Sequence, residues 1–566
     1  MSPLVQPVIA VAVRALARAV AGVRGRWWRT WWLAGLGAGA LAGAEPERLA
    51  GVDDQWRCFR SPNFELYSRN DEAASRELLH HLELLRAEFV GRFKVVERAR
   101  LEVTVYFFAQ PADFRAYAPA TFASSDFFRG FYIAGPDRAM ISVAPIEQWD
   151  DSQRLIFHEY VHHLFRAMEQ DPPVWFNEGV AELLAGTRVE RGNLEIGHPH
   201  ARRIAVLREE KLMPLETLFA VDHDSPIYRS DDHNGLFYAE SWALLHYWYF
   251  GDSGLSKDAV ARFLRVASDR KLAAAVNLRA FFRECFAMDY PEMLRRLDRY
   301  VSSGSYHFGR EPLPAIEPAT TYAMRSVPRD ELRLRLAELA VRVNRAPEAR
   351  LALREAADRT PPDPRVLEAL GADALVEQDE IRARERWEEA LAAGSHNAAT
   401  YRELTLLEGH QWFDEFHYDL RLPAATADRL RERLRRAIAF EPEQNGAYQM
   451  LAWVEAYADQ PNTGNVNLVQ RHAATVLHQD RTTVALALVR VHLGKPDEAR
   501  EILAQLEAVG PDAWSRRAAE QISAKLDGRL PNLGSAVRSQ NERSVEFDPN
   551  DRSRLKVPSV ELPPKP

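Results

Sequence analysis

Residues 154–168 read RLIFHEYVHHLFRAM, and within them His158, Glu159 and His162 stand in the order H-E-x-x-H. On an α-helix, positions four apart share a face, so both imidazoles look out from the same side. Leu155, Ile156, Phe157, Val161, Leu164 and Phe165 supply enough apolar surface to bury most of that helix. Two neutral imidazoles at i and i+4 can ligate one Zn2+, and Glu159 then lies beside the open position, where it can take a proton from water. A catalytic zinc needs a third protein ligand; a histidine-rich helix that happens to spell the motif needs none.

The next segment offers that ligand. Residues 172–186, PPVWFNEGVAELLAG, begin with two prolines that open a second helix, with Glu178 and Glu182 four apart on it. Trp175, Phe176, Val180, Leu183 and Leu184 flank them. Carboxylates on so apolar a helix are costly unless a cation meets them. Glu178 is therefore expected as the third zinc ligand, with Glu182 behind it accepting the N–H of a ligating histidine.

Together, His158-Glu159-x-x-His162 and Asn177-Glu178-Gly179-x-Ala181-Glu182 resemble the gluzincin clan of zinc metallopeptidases. Within that clan the pairing of HEYxHH with WFNEGxAE is similar to the peptidase MA-like proteins, over about residues 60–300. The resemblance implies peptide-bond hydrolysis with Zn2+ as cofactor, Glu159 as general base and Glu178 as third ligand. It also bears on NGLFYAESWALLHYWYF (234–250), because similar proteins carry a Tyr-x-x-Ser-Trp there. Tyr238 is accordingly the expected donor to the developing oxyanion, with His233 second and simple packing of Tyr238 as the alternative. Two departures stand out. Only 15 residues separate His162 from Glu178, fewer than in thermolysin-like and large aminopeptidase members, and the G-A-M-E-N segment of the large aminopeptidases is absent.

The whole chain has 566 residues, 46% apolar and 27% charged, with a net charge of −8, which favours two to four domains and gives no sign of nucleic-acid binding. Residues 1–44 have the layout of a secretory signal peptide, with arginines at 24, 26 and 29, an uncharged run from Thr30, and Ala42-Gly43-Ala44 at the cleavage position. The alternative there is an uncleaved N-terminal anchor. Export to the periplasm or beyond is expected, with no membrane span in the mature chain. Cys58 and Cys285 either pair or stand free.

Residues 63–68 and 100–109 read as strands, 72–92 as a helix, and 128–143 as a hairpin turning at Gly135-Pro136-Asp137. From about Asp151 to Tyr300 the pattern is almost wholly helical. The expected fold is α+β: a gluzincin-like metallopeptidase unit over 45–302, a linker over 303–328, an all-α solenoid of degenerate tetratricopeptide-like repeats over 329–525, and a disordered tail over 526–566. Small residues such as Gly371 would let paired helices approach. An unrelated helical bundle is the alternative.

The strand Arg138–Val143 is either the edge that pairs with an extended substrate or an interior strand. His163 points away from the ligand face and is expected in the core or behind the ligands. His80 and His81 read as a solvated face, His198 and His200 as a loop rather than ligands, and Asp231, Asp232 and His233 as part of the cleft rim. Two functional readings follow: a peptidase whose repeats recognise a protein or peptide, or an inactive peptidase-like scaffold whose repeats do the binding.

Overall fold

The computed structural model describes residues 55–529 except for short internal stretches, the longest of them 93–100 and 120–128. Residues 1–44, expected as a signal peptide, together with Asp231, Asp232, His233 and nearly all of the stretch 526–566, lie outside the described residues. The chain is mixed α and β, dominated by helices around a six-stranded sheet. Its strands are β1 (Arg57–Arg60), β2 (Phe64–Ser68), β3 (Glu102–Phe107), β4 (Gly130–Ala134), β5 (Arg138–Val143) and, returning from far down the chain, β9 (Ala323–Ser326). They lie in the order β4-β5-β3-β2-β1-β9, with β2, β3 and β5 parallel and the rest antiparallel. A smaller antiparallel sheet joins β6 (Arg188–Glu190), β7 (Asn193–Ile196) and β8 (Gly309–Pro312).

The helices of the first part are α1 (Glu72–Ala87), α2 (Pro111–Tyr117), α3 (Trp149–Ala167), α4 (Val174–Ala185), α5 (Ala201–Glu209), α6 (Leu215–Ala220), α7 (Pro226–Arg229) and α8 (Asn234–Phe250), with α9–α12 filling Lys257–Ser303. Then come α13 (Arg329–Arg342), α14 (Pro347–Ala357), α15 (Pro364–Val376), α16 (Glu380–Ala392) and α17 (Ala398–Phe413), and further helices run to Leu526.

The strands alternate, but both of their faces are buried. Phe64, Leu66, Val103, Val105, Phe107, Ala139, Ile141 and Val143 point into one core with Leu78, Leu79, Leu82 and Leu85 of α1 and with α3, α4 and α8. Tyr67, Tyr106 and Met140 point the other way, onto Leu332, Leu336 and Leu339 of α13. A parallel sheet is stable when covered on both faces, and here the second cover is the start of the C-terminal helices.

Charges are buried in that second interface. Arg138 contacts Asp137, Glu338 and Glu368, Arg342 binds both oxygens of Asp137, and Arg365 binds Glu65. Farther along, a side chain on Gly371 would strike the Trp387 ring at 2.4 Å, so α15 and α16 approach closely, as the small-residue pattern predicts.

Two expectations need correction and a third needs an addition. The stretch 303–328 is not a plain linker: it supplies β8 to the small sheet and β9 to the edge of the large one, pairing with residues more than 100 positions earlier. The almost wholly helical reading of 151–300 holds but leaves out β6 and β7, which form a hairpin turning on Arg191 and Gly192, both at positive φ. His80 and His81 are not a solvated face: they are half-buried, with Nδ1 of each bonded to Tyr322 Oη and Gln153 Oε1. The hairpin at 135–137 is as predicted, and Arg138–Val143 is the interior strand, leaving β4 as the sheet edge. Cys58 and Cys285 are both free.

Glu240 on α8 is fully buried, accepts one N–H from Met213 at 2.8 Å, and has no partner for its other oxygen. Burial pushes this carboxyl up to about 8. A carboxyl with a raised folded pKa holds its proton in the folded state after the unfolded chain has lost it, so stability falls as pH rises between about 4.5 and about 8. Unfolding of Glu240→Gln beside the wild type should show the wild type losing roughly 1 kcal/mol per pH unit against the variant across that window. Parallel stability curves would contradict a buried, protonated Glu240.

Candidate metal centre

Helices α3 and α4 cross with their polar residues facing each other, and α8 backs α4. The packing of α4 on α8 is close because of Gly179, where an added Cβ would stand 2.7 Å from the Ser241 carbonyl oxygen. That approach holds Glu178, 2% exposed, opposite the histidine face of α3.

The expected ligand atoms converge. His158 Nε2 lies 3.2 Å and His162 Nε2 3.5 Å from Glu178 Oε2, and the two imidazole nitrogens are 3.1 Å apart. Ligands about 2.0–2.1 Å from a tetrahedral zinc are separated by roughly 3.3–3.4 Å, so this triangle has the size such an ion requires. Glu178 Oε2 is buried and accepts no hydrogen bond, whereas its Oε1 takes the Tyr228 hydroxyl at 3.0 Å. Among the described residues, His158, His162 and Glu178 form the one group of three side chains able to hold a metal. They fit zinc by donor type, spacing and the unmatched carboxylate oxygen.

The partners behind these atoms keep the ligand lone pairs forward. His162 Nδ1 is 3.0 Å from Asn177 Oδ1, and His158 Nδ1 is 3.5 Å from Glu182 Oε1, so each Nε2 is left to face the centre. Glu182 is fixed in turn by Arg203, whose Nη2 donates at 2.6 Å and Nε at 3.2 Å. The guanidinium also lies 5.0 Å over the Tyr238 ring, which is 6.0 Å from the His158 ring.

Electrostatics argue the same way. Glu182 and Glu178 lie near the Arg203 guanidinium, and Glu159 and Glu178 near the His158 and His162 imidazoles. Burial raises the Glu178 carboxyl, but the His162 and His158 imidazoles outweigh it and hold it far below the usual range. Burial lowers His162, yet Glu178, Glu159 and Asn177 carry it up to about 9. The protein alone thus satisfies its carboxylate by protonating an imidazole, a place that zinc would take by displacing the proton. Glu159 is raised by burial, against the pull of His158 and His162. Tyr228 and Tyr238, which hydrogen-bond each other, are held well above the ordinary phenol value by burial and by Glu178, so both remain neutral donors.

Of the residues singled out in the sequence, the structure brings together His158, Glu159, His162, Glu178, Glu182 and Tyr238. His163 faces away, buried against Tyr160 and 3.3 Å from the Tyr132 hydroxyl. His198 binds Glu195 at 2.8 Å, and His200 lies 3.5 Å from Asp151, so neither joins the metal group. Asn177, Arg203, Tyr132 and Tyr228 were not singled out. Asn177 was legible as part of N-E-G; Tyr228 sits on a four-residue helix with no periodic signal.

Gly179→Ala should cost about 1–3 kcal/mol of stability, since the methyl meets backbone and Leu245. It should also weaken zinc binding by tilting Glu178, which isothermal titration with Zn2+ would read; unchanged affinity would mean that the helix crossing does not set the ligand. No family model and no curated protein sequence matches this chain.

Proposed function

We propose that this chain is an exported zinc-dependent metallopeptidase, built as a gluzincin-like unit followed by a tetratricopeptide-like solenoid. The reading rests above all on the buried triangle of His158 Nε2, His162 Nε2 and Glu178 Oε2, whose carboxylate oxygen has no neighbouring donor except those imidazoles. His158, His162 and Glu178 would hold the ion, which when bound supplies Lewis-acid polarisation of a carbonyl and of water.

The chain's own residues then do the following. Glu159, next to the ligands and raised by burial, accepts a proton from the attacking water and returns it to the leaving amine. Tyr238 presents a neutral hydroxyl to the oxygen on which charge develops, and Tyr228 keeps Glu178 in place through its own hydroxyl. Glu182 and Arg203 orient His158. An extended peptide is the natural substrate form beside β4, because an edge strand has backbone groups free to pair.

Glu159→Gln should bind one zinc per chain and lose hydrolysis of a peptide-library substrate by at least ~10²-fold. His162→Ala and Glu178→Ala should lose the zinc itself, read by elemental analysis. Tyr238→Phe should retain zinc while kcat falls ~10²–10³-fold. Wild-type turnover in Glu159→Gln, or no zinc in the wild type after supplementation, would sink the reading.

A further inference from the structure

Beyond α17 the helices are α18 (Ala424–Phe440), α19 (Asn445–Tyr457), α20 (Thr463–Thr475), α21 (Asp480–His492), α22 (Pro496–Ala508) and α23 (Ala513–Leu526). Helix α19 packs on α21 and α21 on α23, while α20 and α22 pair with α19 and α21. Residues 377–379, 458–462 and 493–495 suffice to join α15 to α16, α19 to α20 and α21 to α22. The connector from α17 to α18 is the ten residues 414–423. Two packed helices close with a handful of residues, so this connector has chain to spare.

The spare chain crosses the layer of α19, α21 and α23. The Phe416 ring lies 6.2 Å from that of Trp453 on α19 and 6.3 Å from that of Trp514 on α23. Two residues on, the Tyr418 ring lies 6.5 Å from that of His492 on α21, and the Lys525 ammonium of α23 stands 5.4 Å from its centre. Arg421 donates to His492 Nε2 at 2.8 Å, and the Leu422 N–H donates to the Tyr457 carbonyl at 2.8 Å, at the end of α19. One short segment thus touches three helices, as a bound peptide would.

Its hold is made of side chains. Among the described residues, the Leu422 N–H makes the segment's one backbone bond to a helix. The Tyr418 and Leu420 carbonyls are taken by the segment's own Arg421, at 3.5 and 2.6 Å. Phe416, Tyr418 and Leu420 are half-buried. A segment held by rings and one foot owes its place to its high local concentration, and a free chain of the same chemistry can compete for it.

We infer that the face of α19, α21 and α23 binds an extended peptide rich in aromatic and acidic residues, for which Phe416 and Tyr418–Leu422 are a displaceable stand-in. The face sets that chemistry. Trp453 and Trp514, with ring centres 5.7 Å apart, offer aromatic contact, and Arg481, 4.4 Å over Trp514, and Lys525 offer positive charge. The chain's own sequence matches it: residues 412–419 read WFDEFHYD, four aromatic residues with three acids among them. This recognition is independent of the chemistry proposed at Glu178.

The test uses the full chain and a fluorescein-labelled peptide WFDEFHYDLRL, read by fluorescence anisotropy. The double variant Phe416→Ala/Tyr418→Ala, which loosens the stand-in, should bind the peptide at least about tenfold more tightly than the wild type. Adding Trp514→Ala should weaken that binding by at least about tenfold. A double variant that melts cooperatively yet binds no more tightly than the wild type overturns the inference, and so does binding that survives Trp514→Ala. If the double variant does not fold, hydrogen–deuterium exchange of residues 418–422 in the wild type decides. Exchange that quickens in an excess of the peptide supports displacement, and unchanged exchange overturns it.

Discussion

A sheet whose central strands are parallel has to be covered on both faces, and the architecture follows from how this chain meets that requirement. Strands β2, β3 and β5 send Phe64, Leu66, Val103, Val105, Ile141 and Val143 to one side and Tyr67, Tyr106 and Met140 to the other. The first side is closed by α1 and by the helices that bear the H-E-x-x-H and N-E-G-x-A-E segments. The second is closed by α13 and its successors. The face that bears the candidate metal group and the C-terminal helices are thus opposite covers of one sheet, and β9, which returns to pair with β1 just before α13, ties them covalently as well.

The two covers differ in chemistry. On the side of the candidate metal group, the buried Glu178 carboxylate meets the His158 and His162 nitrogens at 3.2 and 3.5 Å; it pulls His162 up and is itself held low. On the side of the C-terminal helices, Asp137, Glu338, Glu65 and Glu368 form a network with Arg138, Arg342, Arg365 and Arg335, in which Glu338 Oε2 and several guanidinium nitrogens are buried without a hydrogen bond. Unbalanced buried charge is expensive and persists where a ligand supplies the missing sign; balanced buried charge holds position. What sets the first cover apart is the convergence of His158, His162 and Glu178, which among the described residues has no counterpart on the second.

Much of the site was legible because its signals are local. The i and i+4 spacing of His158 and His162, and of Glu178 and Glu182, needs only the pitch of a helix, and the Gly135-Pro136-Asp137 turn needs only turn chemistry. The small-residue position Gly371 was readable for the same reason. What escaped depends on partners distant in sequence. Arg203 gains its role from Glu182 and Tyr238, and Tyr228 from Glu178 fifty residues earlier. The strands β8 and β9 lie in a Gly- and Pro-rich stretch whose pairing is fixed by residues over a hundred positions away. His80 and His81 sit on a mixed helix that reads as exposed until Tyr322 and Gln153 arrive.

The buried joint also bears on the idea that the C-terminal helices act alone as a binding module. Leu332, Leu336 and Leu339 of α13 pack against Tyr67, Tyr106 and Met140 of the sheet, and Glu338, Arg342 and Glu368 have their charge partners there. Cut from the sheet, α13 and α15 would expose an apolar face and several arginine and glutamate side chains stripped of their pairs. The reverse cut would leave Asp137 and Arg138 without their answering charges at the mouth of the β4–β5 hairpin. Neither part carries a self-sufficient surface at this boundary. The physical argument therefore favours one cooperative unit, in which the helical part first of all completes the sheet that the metal-side helices rest on, and any recognition of a partner is added to that structural duty.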